Sequence, residues 1–393
     1  MNQSENTNIY SFKLFDFHFV NVNPACTTIP SPRSGHRILC TARYIYLYGG
    51  YNPSLNPPTC QDIWKFNFAT RKWKRCAENQ NIPNEVTSIA AVRRKHELLV
   101  FGGTAVPFGF RCSNKLHSFH VNDKTESFST YRISGKSPQS MYGQAMVLHK
   151  NLLYVIGGTD GFTFTCDIHR VNLNKDVKVW KQMYKTSRIT VDNCEDNAPY
   201  EPEGRYRHEV GFDGNNIFLI GGGTSCKSYN LTEIPIFNIA SRTWRRETSI
   251  AVANGELSYP QPRKCHGLVQ FKSGNKNYVY IVCGLGDEGA LNDLWRLQLS
   301  TLQWTLIKNP VLPKGLYFHA TALSYHGKMY IFGGINGSRD LKRTNDIYCA
   351  WMYIPKLSEI CWEAVLYYIG YKNVTKTILR QLKVPERFIN RLS

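Results

Sequence analysis

A short apolar run closed by a glycine pair recurs six times along the chain. The copies are Tyr46–Gly50 (YLYGG), Leu99–Gly103 (LVFGG), Tyr154–Gly158 (YVIGG), Phe218–Gly222 (FLIGG), Tyr280–Gly284 (YIVCG) and Tyr330–Gly334 (YIFGG), with closing glycines 50 to 64 residues apart. A loosely kept period of this size marks stacked units. Each run is β-branched or aromatic, which predicts a buried strand, and the glycines predict a sharp turn that a Cβ would obstruct. A second strand follows with alternating apolar positions, clearest in Asp62–Phe68 (DIWKFNF), Asp167–Leu173 (DIHRVNL) and Asp293–Leu299 (DLWRLQL). A last strand carries a large aromatic: Trp73, Phe128, Trp180, Trp244, Trp304 and, less regularly, Trp351.

Four short strands per unit, glycine pairs and a late tryptophan resemble the kelch repeat. The resemblance implies an all-β fold, a six-bladed kelch β-propeller with a short C-terminal α-helical tail. Blades are expected at 33–76, 88–131, 142–183, 205–247, 263–307 and 317–354, with a disordered N-terminus at 1–10. The last blade offers only three strands, so residues 11–20, where Phe15, Phe17 and Phe19 alternate with polar positions, are expected to close the ring and cover an open edge. An acidic insertion, Tyr184 to Gly204, reads as a solvent loop, and a proline-rich tip, Tyr51 to Gln61, as a loop beside the propeller mouth.

Composition narrows the partners. The formal charge is +19, but the basic residues are spread over all blades, so they read as solvated surface with a preference for an anionic ligand, and neither nucleic acid nor membrane is expected as a partner. The twelve cysteines form no metal spacing or disulfide framework, and no secretory signal or membrane span is evident. Cytoplasm and nucleus are the expected compartments. No P-loop, HExxH or GxSxG motif occurs, so the chain is expected to be non-catalytic and to need no cofactor or metal.

The first strand of each blade opens with a recurring signal: Arg33-Ser-Gly-His36, Arg205-Tyr-Arg-His208 and Arg263-Lys-Cys-His266, with Met141-Tyr-Gly-Gln144 and Leu316-Tyr-Phe-His319 as weaker copies. Rotation about the propeller axis should place these residues around one end of the central channel. The histidines are expected to hydrogen-bond the neighbouring blade. Converging guanidinium groups would repel one another without a shared anion.

After Pro355 the period changes to 3.6, with Leu357, Ile360, Cys361, Ala364, Val365 and Tyr368 on one helical face, and further short helices are expected at 374–382 and 385–392. Leu357, Cys361 and Val365 resemble the box that docks substrate receptors onto elongin C, and Val384, Pro385 and Phe388 resemble a cullin-2 box. Together with YGQAM (142–146), RYRHE (205–209) and GGGTS (221–225), they make the chain similar to the kelch-repeat substrate receptors of cullin-2 ubiquitin ligases.

That resemblance implies a receptor for C-terminal degrons, the extreme C-termini of short-lived proteins ending in a small residue such as glycine or alanine. Its implied partners are elongin B, elongin C, and cullin-2 with its RING subunit. The candidate carboxylate ligands are Arg205, Arg207, Arg263 and Arg33, since a carboxylate favours bidentate arginine. Tyr142, Tyr206, Tyr317 and His208 are candidate pocket walls. Tyr51, Asn52, Thr104, Thr159, Thr224 and Ser225 are candidate contacts to the peptide backbone. A scaffold binding actin or a signalling enzyme is the alternative; a kelch-type copper oxidase is disfavoured by the six repeats.

Overall fold

The structure is a computed structural model and describes residues 9–78, 82–121, 126–187, 199–251, 259–308, 310–337 and 341–392. Residues 1–8 and most of the acidic insertion, with Asp192, Glu195 and Asp196, lie outside the described residues.

Six sheets follow one another along the chain and form a six-bladed propeller, antiparallel throughout except that Ser134–Gly135 runs parallel along the outer strand of blade three, Val179–Tyr184. Blade one pairs Arg37–Cys40, Tyr44–Tyr48, Asp62–Asn67 and Trp73–Glu78 in order, and blades two to five repeat the meander. In blade six, His18–Phe19 runs antiparallel along Lys342–Trp351, with His18 opposite Cys349 and Phe19 opposite Tyr348. Trp73, Phe128, Trp180, Trp244 and Trp304 all fall on fourth strands. Trp351 does not: it ends the third strand of its blade, because the N-terminal segment supplies the outer one.

The glycine pairs do more than turn the chain. The second glycine donates its N–H to the first residue of the next blade's opening signal: Gly50 to Val86, Gly103 to Met141, Gly158 to Arg205, Gly222 to Arg263, and Gly334 around the ring to Arg33, at 2.8–3.0 Å. The first glycines Gly157, Gly221 and Gly333 face the imidazole of the next blade, and Gly102 faces the Gln144 amide in the same way. A Cβ on Gly157 would stand 2.7 Å from His208 Cε1, and one on Gly333 2.6 Å from His36 Cε1. Close approach between blades therefore excludes a side chain there. His36 completes the contact by bonding the Phe332 carbonyl of blade six at 2.9 Å.

The tail folds over the bottom of blade one. The helices α1 (Leu357–Ile369), α2 (Lys376–Gln381) and α3 (Glu386–Ile389) enclose a small core of Trp362, Leu366, Val374, Leu379, Phe388 and Ile389 together with Ala69 of the propeller. Polar ties fix the docking. Lys328 of blade six pairs with Glu363 at 2.6 Å and His326 Nδ1 lies 3.3 Å from Glu359, while Arg391 braces the tail internally by gripping Glu359 through two bonds of 2.7 and 2.8 Å.

Candidate functional site

The third residue of every opening signal lies at positive φ: Gly35, Ser88, Gly143, Arg207, Cys265 and Phe318, at 54° to 70°. Their backbones form a closed ring. Each N–H donates to the carbonyl of the preceding blade, from Ser88 to Gly35, Gly143 to Ser88, Arg207 to Gly143, Cys265 to Arg207, Phe318 to Cys265 and Gly35 to Phe318, at 2.7–3.1 Å. Left-handed backbone at four residues other than glycine costs roughly 1–3 kcal/mol each and persists only where its surroundings enforce it, as the ring does here.

Above this floor is a cavity of about 190 Å³ lined by Ser34, Tyr51, Ser88, Phe108, Tyr142, Tyr206, Arg207, Phe318, Ile335 and Arg343, with parts of Gly35 and Thr87. Arg207 reaches across the channel from blade four to donate to Ser88 Oγ in blade two, and its plane lies over the Phe318 ring at 4.7 Å. Its Nε is buried without a hydrogen-bond partner. Arg343 enters from blade six, donates to Ser34 Oγ at 3.0 Å and covers the Tyr51 ring at 4.9 Å.

Among the described residues neither guanidinium has a carboxylate within salt-bridge distance. Burial pulls both pKa values below the ordinary arginine value. A buried, uncompensated cation is costly, and an anion delivered to this cavity removes that cost.

The other candidate arginines are spoken for, and this corrects their assignment as carboxylate ligands. Arg33 binds Asp62 through both nitrogens, at 2.5 and 3.1 Å, and the Gly49 carbonyl at 3.0 Å. Arg263 repeats the arrangement with Asp293, at 2.5 and 2.7 Å, and the Cys283 carbonyl at 3.0 Å. Each aspartate also accepts from its strand's tryptophan, Trp64 or Trp295, at 2.8 Å. Arg205 bonds the Gly221 carbonyl at 3.0 Å and stacks over Tyr229 at 4.2 Å, while Glu233, which opens that blade's third strand, pairs with Arg246. All three guanidiniums tie a blade's first strand to its own glycine turn.

Of the candidate walls, Tyr142 and Tyr206 line the cavity, their rings edge to face at 6.1 Å, and Tyr51, a candidate backbone contact, lines it with them. Tyr317 instead packs beside Cys265 and Ile335. His208 is fully buried, and burial first, then Arg205, hold its pKa down to about 3, so it stays neutral against Gly157. Asn52, Thr104 and Thr159 shape loops: Asn52 accepts from Ser54 N, Thr104 from Gly109 N and Thr159 from Gly161 N, at 2.9–3.1 Å. The Thr224 and Ser225 carbonyls hold the Lys264 ammonium at 2.6 and 3.3 Å. The sequence reading missed Arg343, Ser34, Phe108 and Phe318. Arg343 lies three residues before Asp346, where the third strand leaves the channel end, and that spacing was its only signal.

The tail candidates divide as well. The apolar stripe of α1 picked out by its period is mostly turned outward. Trp362 and Leu366 are buried, while Leu357 is 72% exposed and Cys361 and Tyr368 also face outward. Val365 is half-buried. Phe388 is not available to a partner, since it stacks on Trp362 with centroids 5.4 Å apart; Pro385 is exposed and Val384 half-buried.

The family model for the KLHDC2/KLHL20/DRC7 Kelch-repeats domain matches residues 2–198 and 184–365. Kelch domain-containing protein 10 of Xenopus tropicalis is 36% identical over 92% of this chain and 86% of its own length, and the human protein 35% over 92% and 80%. The chain belongs to the kelch domain-containing protein 10 family. The Drosophila melanogaster homolog is 38% identical over 92% of this chain, which spans 62% of that longer relative. Kelch-repeat propellers are generally non-catalytic binding scaffolds, and the family model and these relatives indicate no enzyme family. No described helix is long and apolar enough to cross a membrane.

Proposed function

We propose that the chain is the substrate-recognition subunit of a cullin-2 RING ubiquitin ligase, holding the C-terminal carboxylate of its substrates in the channel cavity. The observation that carries this reading is the pair Arg207 and Arg343, two guanidiniums without a carboxylate partner among the described residues, facing one cavity closed below by a backbone ring. A protein C-terminus supplies a planar anion at the end of a chain. Arginine is suited to that geometry, and the tyrosine walls suit a small terminal residue such as glycine or alanine.

The second half of the reading concerns the tail. Leu357 and Cys361 are solvent-facing on a helix whose other side is anchored, as a helix-in-groove contact to elongin C requires. Val384 and Pro385, held by the buried Phe388, form the corresponding contact to cullin-2. Neutral carriers of the same shape distinguish this reading from general peptide binding. A fluorescent peptide ending in glycine should bind as the free acid and lose at least about tenfold in affinity as the amide, the scale of a charge-assisted pair. Equal affinity for acid and amide would refute it.

A further inference from the structure

Beyond the cavity, the tips of blades one, two and three carry exposed apolar side chains: Leu55, Val106, Phe108, Phe110 and Phe162. Phe110 and Phe162 are 74% and 75% exposed, yet their rings meet edge to face with centroids 6.0 Å apart. Phe108 packs on Tyr51 at 4.9 Å and borders the cavity itself. The patch is thus continuous from the cavity wall to the outer rim. Scattered apolar residues need no explanation, but a contiguous apolar patch beside a ligand cavity marks an interaction surface.

The loops that hold it are built rigidly. Gly109 and Gly161 press together so closely that a Cβ on Gly109 would lie 2.8 Å from the Asp160 carbonyl oxygen. Thr104 and Thr159 pin the two loops from inside, and Asp160 accepts from Phe162 N and Thr163 N at 2.9 and 2.7 Å. A preordered surface loses little entropy when it is covered. The opposite rim differs. The tips of blades four and five expose Ser225, Cys226, Lys227, Asp287 and Glu288 instead of large apolar groups.

We infer that this one-sided shelf binds apolar or aromatic side chains of the substrate polypeptide roughly three to five positions before its terminal residue, at ~3.3 Å per extended residue. The inference rests on the carboxylate reading above. A cavity of about 190 Å³ admits only the end of a chain, being smaller than the roughly 300–1,000 Å³ of sites that enclose a whole ligand. The residues upstream must therefore cross the rim. They cross it on the shelf side because Phe108 and Tyr51 form the cavity's wall there, which makes the apolar path continuous.

The test uses the full chain and a peptide library with eight random C-terminal residues, prepared as free acid and as amide, with bound peptides sequenced. The wild type should enrich apolar residues several-fold at the third to fifth positions from the end, from the acid library only. Phe110→Ser with Phe162→Ser, at positions exposed enough to leave the fold intact, should lose that upstream enrichment and keep the choice of terminal residue. An identical upstream profile in wild type and variant, with terminal selection present, would overturn the shelf while leaving the carboxylate reading standing. Equal recovery from acid and amide libraries, unchanged by Arg207→Ala with Arg343→Ala, would overturn both.

Discussion

Arg207 and Arg263 open neighbouring blades with the same charge and are both buried, but their surroundings give them different work. Arg263 is locked to Asp293 in a bidentate pair that Trp295 completes. Arg263→Ala leaves that aspartate buried and unpaired, which costs about 3–5 kcal/mol. The expected outcome is a clear fall in melting temperature, measured by calorimetry. Arg207 has no carboxylate to strand, so Arg207→Ala should change stability by no more than about 1 kcal/mol and lose peptide binding by at least about tenfold. An Arg207→Ala variant that melts as low as Arg263→Ala would assign both to structure. The two sit at different places in the opening signal, Arg263 first, beside its own glycine turn, and Arg207 third, on the channel ring. What the third strand brings decides the pairing of the first-position arginines: aspartate for Arg33 and Arg263 in blades one and five, while in blade four Glu233 pairs with Arg246 and leaves Arg205 on the Gly221 carbonyl.

At the scale of elements, α1 has two apolar faces and only one is used. Trp362 and Leu366 anchor it, whereas Leu357 and Cys361 look outward. Trp362→Ala should cost about 3–5 kcal/mol of docking and release the tail, visible as new proteolytic cleavage after position 356. Leu357→Ser should leave that cleavage pattern unchanged. The 3.6-residue period predicted the helix but marked only its outward stripe, and the anchoring Trp362 and Leu366 went unmarked because periodicity counts apolar positions without knowing which will find a partner. The docking also has a defined response to acid. Burial would raise the Glu359 carboxyl, but Arg391 and His326 outweigh it and hold the group below its unfolded value of 4.5. A carboxyl lowered on folding stabilises fully above the unfolded value and loses that contribution as pH falls through the folded one. Fluorine NMR of a fluorotryptophan at Trp362 should report a docked tail at pH ~5 and progressive release below ~4.5, with Arg391→Ala weakening the tail already at neutral pH. A docked signal unaffected down to pH ~3 would contradict this account of the ion pair.

Across the whole molecule, closure is local in space and remote in sequence. His18 and Phe19 meet Cys349 and Tyr348, and Gly35 completes the channel ring by donating to Phe318. Removing residues 1–20 exposes the edge of Lys342–Trp351, and the expected results are a lower melting temperature and self-association in ultracentrifugation. Six blades and their strands were legible in the sequence because each repeats a pattern that backbone geometry enforces. The cavity was legible only in part. Tyr142, Tyr206 and Arg207 belong to the repeated signal, but Arg343 and Phe108 come from loops and strand ends where the repeat imposes nothing. The central claim, that a carboxylate-reading propeller is carried to a ligase by its tail, is tested most directly by co-purifying this chain with elongin B, elongin C and cullin-2. The account predicts a stoichiometric complex with the wild type that Leu357→Ser with Cys361→Phe abolishes while the propeller stays folded. Folded wild-type chain that fails to bind, or a complex indifferent to the double change, would contradict it.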